Sequence, residues 1–268
     1  MKYEKIKLSI PYEKVGVTKL GEPAQLEAYI LKTGEEKVRP AILICPGGGY
    51  QRVSEREGEC IALQYMAMGY HAFVLTYSVE PNIWPCALLE LATSMSLIRK
   101  HSKEWQIDSN KIIVQGFSAG GHLAQCLATF WNQPFLYETL GVDKEEIRPN
   151  GAILCYPVIT SGEFAHRLSF ERLLNGCKEE YKELTSLEKQ VGEQNPPTFL
   201  WHTYEDQSVP VENSLLLAMS LREKKIPLEL HIFPKGEHGL SLATKETGIV
   251  LESVQPWMQL VKTWLENL

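Results

Sequence analysis

Short apolar runs alternate with amphipathic stretches along most of this chain. PAILIC (40–45) is a continuous apolar run, as expected of a strand buried on both faces. HAFVLTY (71–77), the run at residues 112–114, GAILCY (151–156), PTFLWHT (197–203) and LELHIF (228–233) read as further strands. Ahead of them, KIKLSI (5–10) and LEAYIL (26–31), separated by a stretch with Gly16, Gly21 and Pro23, predict an antiparallel start to the sheet. Between the strands, residues 58–68 place Ile61, Tyr65 and Met68 on one helical face, with Gly69 as the stop. Leu88, Leu91, Met95 and Ile98 repeat at helical spacing. Another helix runs through Leu215, Met219 and Leu221, and a closing one carries Trp257, Val261, Trp264 and Leu265. Asp108-Ser109-Asn110 reads as a turn leading into the strand at Ile112. Alternating strands and helices predict an α/β protein: a mostly parallel sheet of about eight strands with helices on both faces. From about Ser161 to Asn195 the pattern turns polar and irregular, which predicts an excursion or small cap near the site.

The length of 268 residues suits one domain over 1–268. Hydrophobic residues at 44% and charged ones at 22% are ordinary for a globular chain, and no repeat or linker stands out. A net charge of −6 without a Lys/Arg stripe argues against nucleic-acid or anionic-membrane partners and fits a small neutral substrate. Charges fill the first seven residues and no run approaches membrane-span length, so a cytoplasmic location is expected. Cysteines 45, 60, 86, 126, 155 and 177 form no C-x-x-C pair, and reduced, mostly buried thiols are expected. A homo-oligomer is compatible with all of this.

Ligands in such sheets bind at the carboxyl ends of the strands. There the chain places Gly116-Phe117-Ser118-Ala119-Gly120, between an apolar run and a helical pattern, the context of a G-x-S-x-G nucleophile elbow. A Gly-rich turn holding phosphate on a helix N-terminus is the plain alternative. A serine hydroxyl needs a base, and the base a carboxylate to orient it. Asp206, preferred over Glu205, and His238 follow the strands ending at Thr203 and Phe233, and the order Ser118, Asp206, His238 is that of the α/β-hydrolase fold. Of the other histidines, His71, His101 and His231 read as structural, His122 as packing or capping, and His202 as packed support behind the acid; His166 reads as pocket lining or surface. Donors for an oxyanion are expected at the Ala119 amide and in Gly47-Gly48-Gly49. Arg52 stands where a dinucleotide G-x-G-x-x-G would need glycine, and no metal-ligand spacing occurs, so no cofactor or metal is expected.

CPGGGY, GFSAGGH, HTYEDQSVPVENS and FPKGEHGL together resemble the α/β-hydrolase esterases of the acetyl-xylan and carbohydrate acetyl esterase kind, over residues 41–264. The resemblance implies Ser118 as nucleophile, Asp206 as acid and His238 as base, with Gly48, Gly49 and Ala119 as oxyanion donors. It implies cofactor-free removal of acetyl groups from xylo-oligosaccharides or related sugars. Many esterases and lipases of the α/β-hydrolase superfamily carry histidine before the three glycines, where Pro46 stands here. Tyr50, Trp84 and Trp131 are candidates for a sugar-stacking rim, with core packing as the alternative. A general short-chain carboxylesterase, a formamidase or a small peptidase would share the triad, and a binding protein on the same fold is the non-enzymatic reading.

Overall fold

The computed structural model describes residues 1–32 and 37–268. Eight strands form one sheet: β1 (Lys2–Lys7), β2 (Gln25–Ile30), β3 (Arg39–Cys45), β4 (His71–Thr76), β5 (Ile107–Phe117), β6 (Gly151–Cys155), β7 (Thr198–Thr203) and β8 (Leu228–Phe233), in the order β1-β2-β4-β3-β5-β6-β7-β8. β2 is antiparallel to both neighbours and every other pairing is parallel. This is the α/β-hydrolase fold. The chain steps from β3 out to β4 and then returns to the other side of β3 with β5. The loops after β3 and β5 therefore diverge and leave a crevice at a topological switch point.

Nine helices among the described residues cover the sheet: α1 (Glu59–Ala67), α2 (Cys86–Lys100), α3 (Ser102–Trp105), α4 (Ala119–Phe130), α5 (Pro134–Leu140), α6 (Arg167–Leu173), α7 (Glu180–Leu184), α8 (Glu212–Glu223) and α9 (Trp257–Glu266). Apolar side chains of α2, α4 and α8 meet one face of the sheet, where Leu43, Val114 and Leu200 point. Those of α1 and α9 meet the other, where Ile42, Ile113 and Phe199 point. Alternate strand residues thus serve two separate cores, which is why the central strands read as unbroken apolar runs. All six cysteines are free, four of them buried. No helix of the described residues is long and apolar enough to cross a membrane.

Two sequence-derived boundaries need correction. β1 covers residues 2–7 rather than 5–10. Leu8 and Ile10 are buried as their spacing suggests, but the partner strand begins at Gln25, just after Pro23, which has no N–H to extend the ladder. Asp108–Asn110 lie within β5, not before it. The pairing jumps from Arg39↔Ile107 to Ala41↔Ile112, so β5 carries a bulge there, closed by the Asn110 amide donating to Asp108 Oδ1 at 2.9 Å. The turn chemistry is present, but inside the strand. The stretch from 161 to 195 holds α6 and α7, and its first helix stands over the carboxyl ends of the strands, as the lining residues described below show.

Candidate active site

The chain leaves β5 at Phe117 and enters α4 at Ala119, with Ser118 alone between them. Its φ of 53° and ψ of −118° lie in a region that side chains rarely occupy. The Ser118 amide donates to the Cys155 carbonyl at 3.0 Å, and its carbonyl accepts from His122 N and Val158 N, so both ends of the strained residue are held. The close approach explains the glycines. A Cβ on Gly116 would lie 2.0 Å from the Gly120 carbonyl oxygen, and one on Gly120 would lie 2.1 Å from that of Cys45.

The Ser118 hydroxyl is 2.7 Å from His238 Nε2, and His238 Nδ1 is 2.6 Å from Asp206 Oδ2. Asp206 Oδ1 accepts from the amides of Ser208 and Val209, each at 2.9 Å. Its Oδ2 has a second neighbour, His202 Nε2 at 3.2 Å, which also lies 2.9 Å from the Val209 carbonyl; His202 Nδ1 pairs with Ser214 Oγ at 2.7 Å. Two acceptors on Nε2 place the His202 proton there and leave Nδ1 to accept from Ser214. Burial alone would raise the Asp206 carboxyl. The hydrogen bonds from His202 and His238 and the backbone amides outweigh it and hold the group well below the ordinary carboxylate range. Asp206 is thus a fixed negative charge, and the Ser–His–Asp chain can draw the serine proton onto the imidazole.

The loop after β3 lies beside this chain. Gly48 and Gly49 have φ of 124° and 64°. The Gly47 amide donates to Glu57 Oε2 at 2.8 Å. Among the described residues, the amides of Gly48, Gly49 and Ala119 have no acceptor, which leaves them free for an oxygen anion near Ser118. Gly48, Gly49, Ser118 and His238 line a cleft of about 310 Å³, together with Arg52, Arg56, His166, Leu168, Arg172 and Ser208.

The BD-FAE family model matches residues 26–221, a span that takes in β3 to β7, the glycine loop, the serine turn and the acid turn. The chain belongs to the BD-FAE family. Its resemblance to α/β-hydrolase esterases is therefore one of descent. A Butyrivibrio fibrisolvens protein named endo-1,4-beta-xylanase B is 41% identical over 78% of this chain and 33% of its own length. An acetylxylan esterase of Xylanibacter ruminicola is 30% identical over 82% of this chain and 45% of its own length. The chain thus spans less than half of each of these relatives. An acetyl ester-xyloside bifunctional hydrolase from Caldicellulosiruptor lactoaceticus superposes with a TM-score of 0.86 at 38% identity, covering 98% of this chain and 96% of that one.

Within this BD-FAE chain the three aromatic rim candidates do not reach the cleft. Tyr50 is 3% exposed, and its hydroxyl is 2.8 Å from His122 Nδ1. Trp84 is 4% exposed and packs edge-on against Phe130. Trp131 is 8% exposed, its indole N–H donating to the Gln194 carbonyl. All three are core, because each ring edge finds a partner within the fold. His122 is wholly buried between Tyr50 and the Thr185 carbonyl. His166 does line the cleft, with Nδ1 2.8 Å from Ser169 Oγ; burial and the nearby His238 and Arg172 lower its pKa. The arginines lining the cleft and Glu57 were not singled out from sequence, whereas His202 was read as packed support behind the acid and lies beside Asp206 Oδ2. Only His202, four residues before the acid, carried a local signal.

Proposed function

We propose that this protein is a serine carboxylic ester hydrolase that removes acetyl groups from sugars such as acetylated xylo-oligosaccharides. The hydrogen-bonded chain Ser118–His238–Asp206 beside three unpaired amides carries this reading. His238 takes the Ser118 proton as the hydroxyl oxygen attacks the ester carbonyl. The resulting oxyanion rests on the amides of Gly48, Gly49 and Ala119; as it collapses, the bond between the acyl carbon and the sugar oxygen breaks and His238 gives its proton to that departing oxygen. Water, deprotonated by the same imidazole, then releases acetate from Ser118.

The cleft lining supports a small acyl group and a polar alcohol. Leu168 is the one apolar side chain among the lining residues. A long alkyl chain would therefore forgo roughly 0.8 kcal/mol for each methylene left in water. The guanidinium groups of Arg52, Arg56 and Arg172 instead offer hydrogen bonds to hydroxyl groups. The names of the Xylanibacter and Caldicellulosiruptor proteins support an acetylated xylo-oligosaccharide. Glycoside hydrolysis gains no support from the cleft, because it uses two carboxyl groups flanking the bond. Asp206 stands behind His238, and both Glu57 oxygens are occupied by protein donors.

The test is acetate release from a panel of acetylated xylo-oligosaccharides, beside p-nitrophenyl acetate and octanoate, with Ser118→Ala as control. Acetate release that Ser118→Ala abolishes is expected. Preference for octanoate, or no release from any acetylated sugar, would refute the substrate assignment.

A further inference from the structure

Three acidic residues alternate along the segment after the glycine loop: Glu55, Glu57 and Glu59. Two are exposed, whereas Glu57 is 3% exposed. A carboxyl group is withdrawn from water only where donors replace its hydration. Glu57 Oε2 accepts from the Gly47 amide at 2.8 Å, and Oε1 accepts from the Tyr156 hydroxyl at 2.7 Å. The Tyr156 oxygen in turn accepts from the Ser241 amide at 2.8 Å. Burial raises the Tyr156 hydroxyl far above its usual range, so it stays a donor to Glu57. Tyr156 is itself pinned at φ 38°, with its ring edge-on to His238 at 5.1 Å.

These three bonds join the two halves of the site. Gly47 immediately precedes the free amides of Gly48 and Gly49, and Ser241 lies three residues beyond His238. Pro46 can fix the loop neither with an N–H nor with a polar side chain. Its carbonyl only accepts from Tyr77. There is also no room for a substitute at Gly47, where a Cβ would stand 2.8 Å from Glu57 Oε2 and 3.1 Å from Ser118 Cβ.

The geometry points to Glu57 as the positioning residue of the oxyanion loop: it engages the Gly47 amide, turns the next two amides toward Ser118, and through Tyr156 ties that loop to the His238 segment. This rests on the esterase reading above. Glu57 borders the cleft, but Gly47 and Tyr156 take both of its carboxylate oxygens, so it acts on the hole rather than on the bound ester, and its loss should appear in kcat and leave KM nearly unchanged.

The experiment compares Glu57→Ala, Glu57→Gln and Tyr156→Phe with the wild type for p-nitrophenyl acetate hydrolysis. It also measures inhibition by phenylboronic acid, whose tetrahedral serine adduct places an oxygen anion in the hole. Removing one oxyanion donor elsewhere costs about 10²- to 10³-fold in kcat. Glu57→Ala should therefore lose about 100-fold in kcat, with KM within about threefold and boronate affinity falling alongside kcat. Glu57→Gln keeps an acceptor for Gly47 and should recover most of that loss. Tyr156→Phe keeps the Glu57–Gly47 bond and should fall between them. If Glu57→Ala does not fold, the other two decide. Glu57→Ala, or Tyr156→Phe if the alanine variant does not fold, with kcat and boronate affinity within about threefold of wild type, or with a loss confined to KM, overturns the assignment. Ser118→Ala retaining activity would instead refute the esterase reading itself.

Discussion

Asp206→Asn tests how the acid side chain works. In the wild type, Oδ1 accepts two backbone amides while Oδ2 faces two imidazole nitrogens, His238 Nδ1 at 2.6 Å and His202 Nε2 at 3.2 Å. The asparagine oxygen must take the Oδ1 position, because the Ser208 and Val209 amides are both donors. Its NH₂ then points at His238 Nδ1 and becomes the donor there. His238 is forced into the tautomer with the proton on Nε2, where it cannot accept from Ser118. A base locked in the wrong tautomer costs roughly 10⁴-fold in kcat, about 5.5 kcal/mol of transition-state stabilisation. The same NH₂ also meets the His202 Nε2–H, donor against donor, so the variant should be less stable by about 1–3 kcal/mol. Steady-state kinetics with p-nitrophenyl acetate, with urea unfolding as the fold check, measures both. A folded variant within about tenfold of wild-type kcat would refute the tautomer argument.

Two further predictions concern residues buried around the site. His122, buried between Tyr50 and Thr185, has its folded-state pKa pushed down to about 4 from an unfolded value of 6.5. The unfolded chain therefore binds a proton that the folded one refuses, and stability falls as pH drops from 6.5 toward 4, by about 3 kcal/mol in full. His122→Gln should flatten the decline in urea midpoint between neutral pH and about pH 4, and an unchanged slope would contradict the burial argument. Trp84→Ala should cost about 3–5 kcal/mol of stability while leaving KM for acetylated oligosaccharides within about twofold, whereas a selective rise in KM would restore Trp84 to the substrate rim.

Much of the fold was legible because the central strands are covered on both sides. PAILIC and HAFVLTY are apolar without alternation since both of their faces meet helices. The serine turn was equally local: three close backbone approaches require Gly116, Gly120 and Gly121 within six residues. Other features depend on partners far along the chain. The start of β1 is set by where Pro23 lets its partner begin, and the β5 bulge by the jump in pairing against Arg39. The burial of Tyr50, Trp84 and Trp131 follows from His122, Phe130 and Gln194, none of which their own neighbourhoods announce. Glu57 was the least visible. Between Glu55 and Glu59 it reads as one more solvated charge, and only Gly47 and Tyr156, 10 and 99 residues away, make it different.

In the mechanism proposed above, Ser118 attacks the ester through a base oriented by Asp206. Rapid quench of the enzyme with an acetyl ester, followed by peptide mass spectrometry, tests it most directly. An acetyl group is expected on the peptide carrying Ser118 and is expected to be absent in Ser118→Ala. Turnover that persists in Ser118→Ala, or acetyl found on another residue while Ser118 stays unmodified, would contradict it.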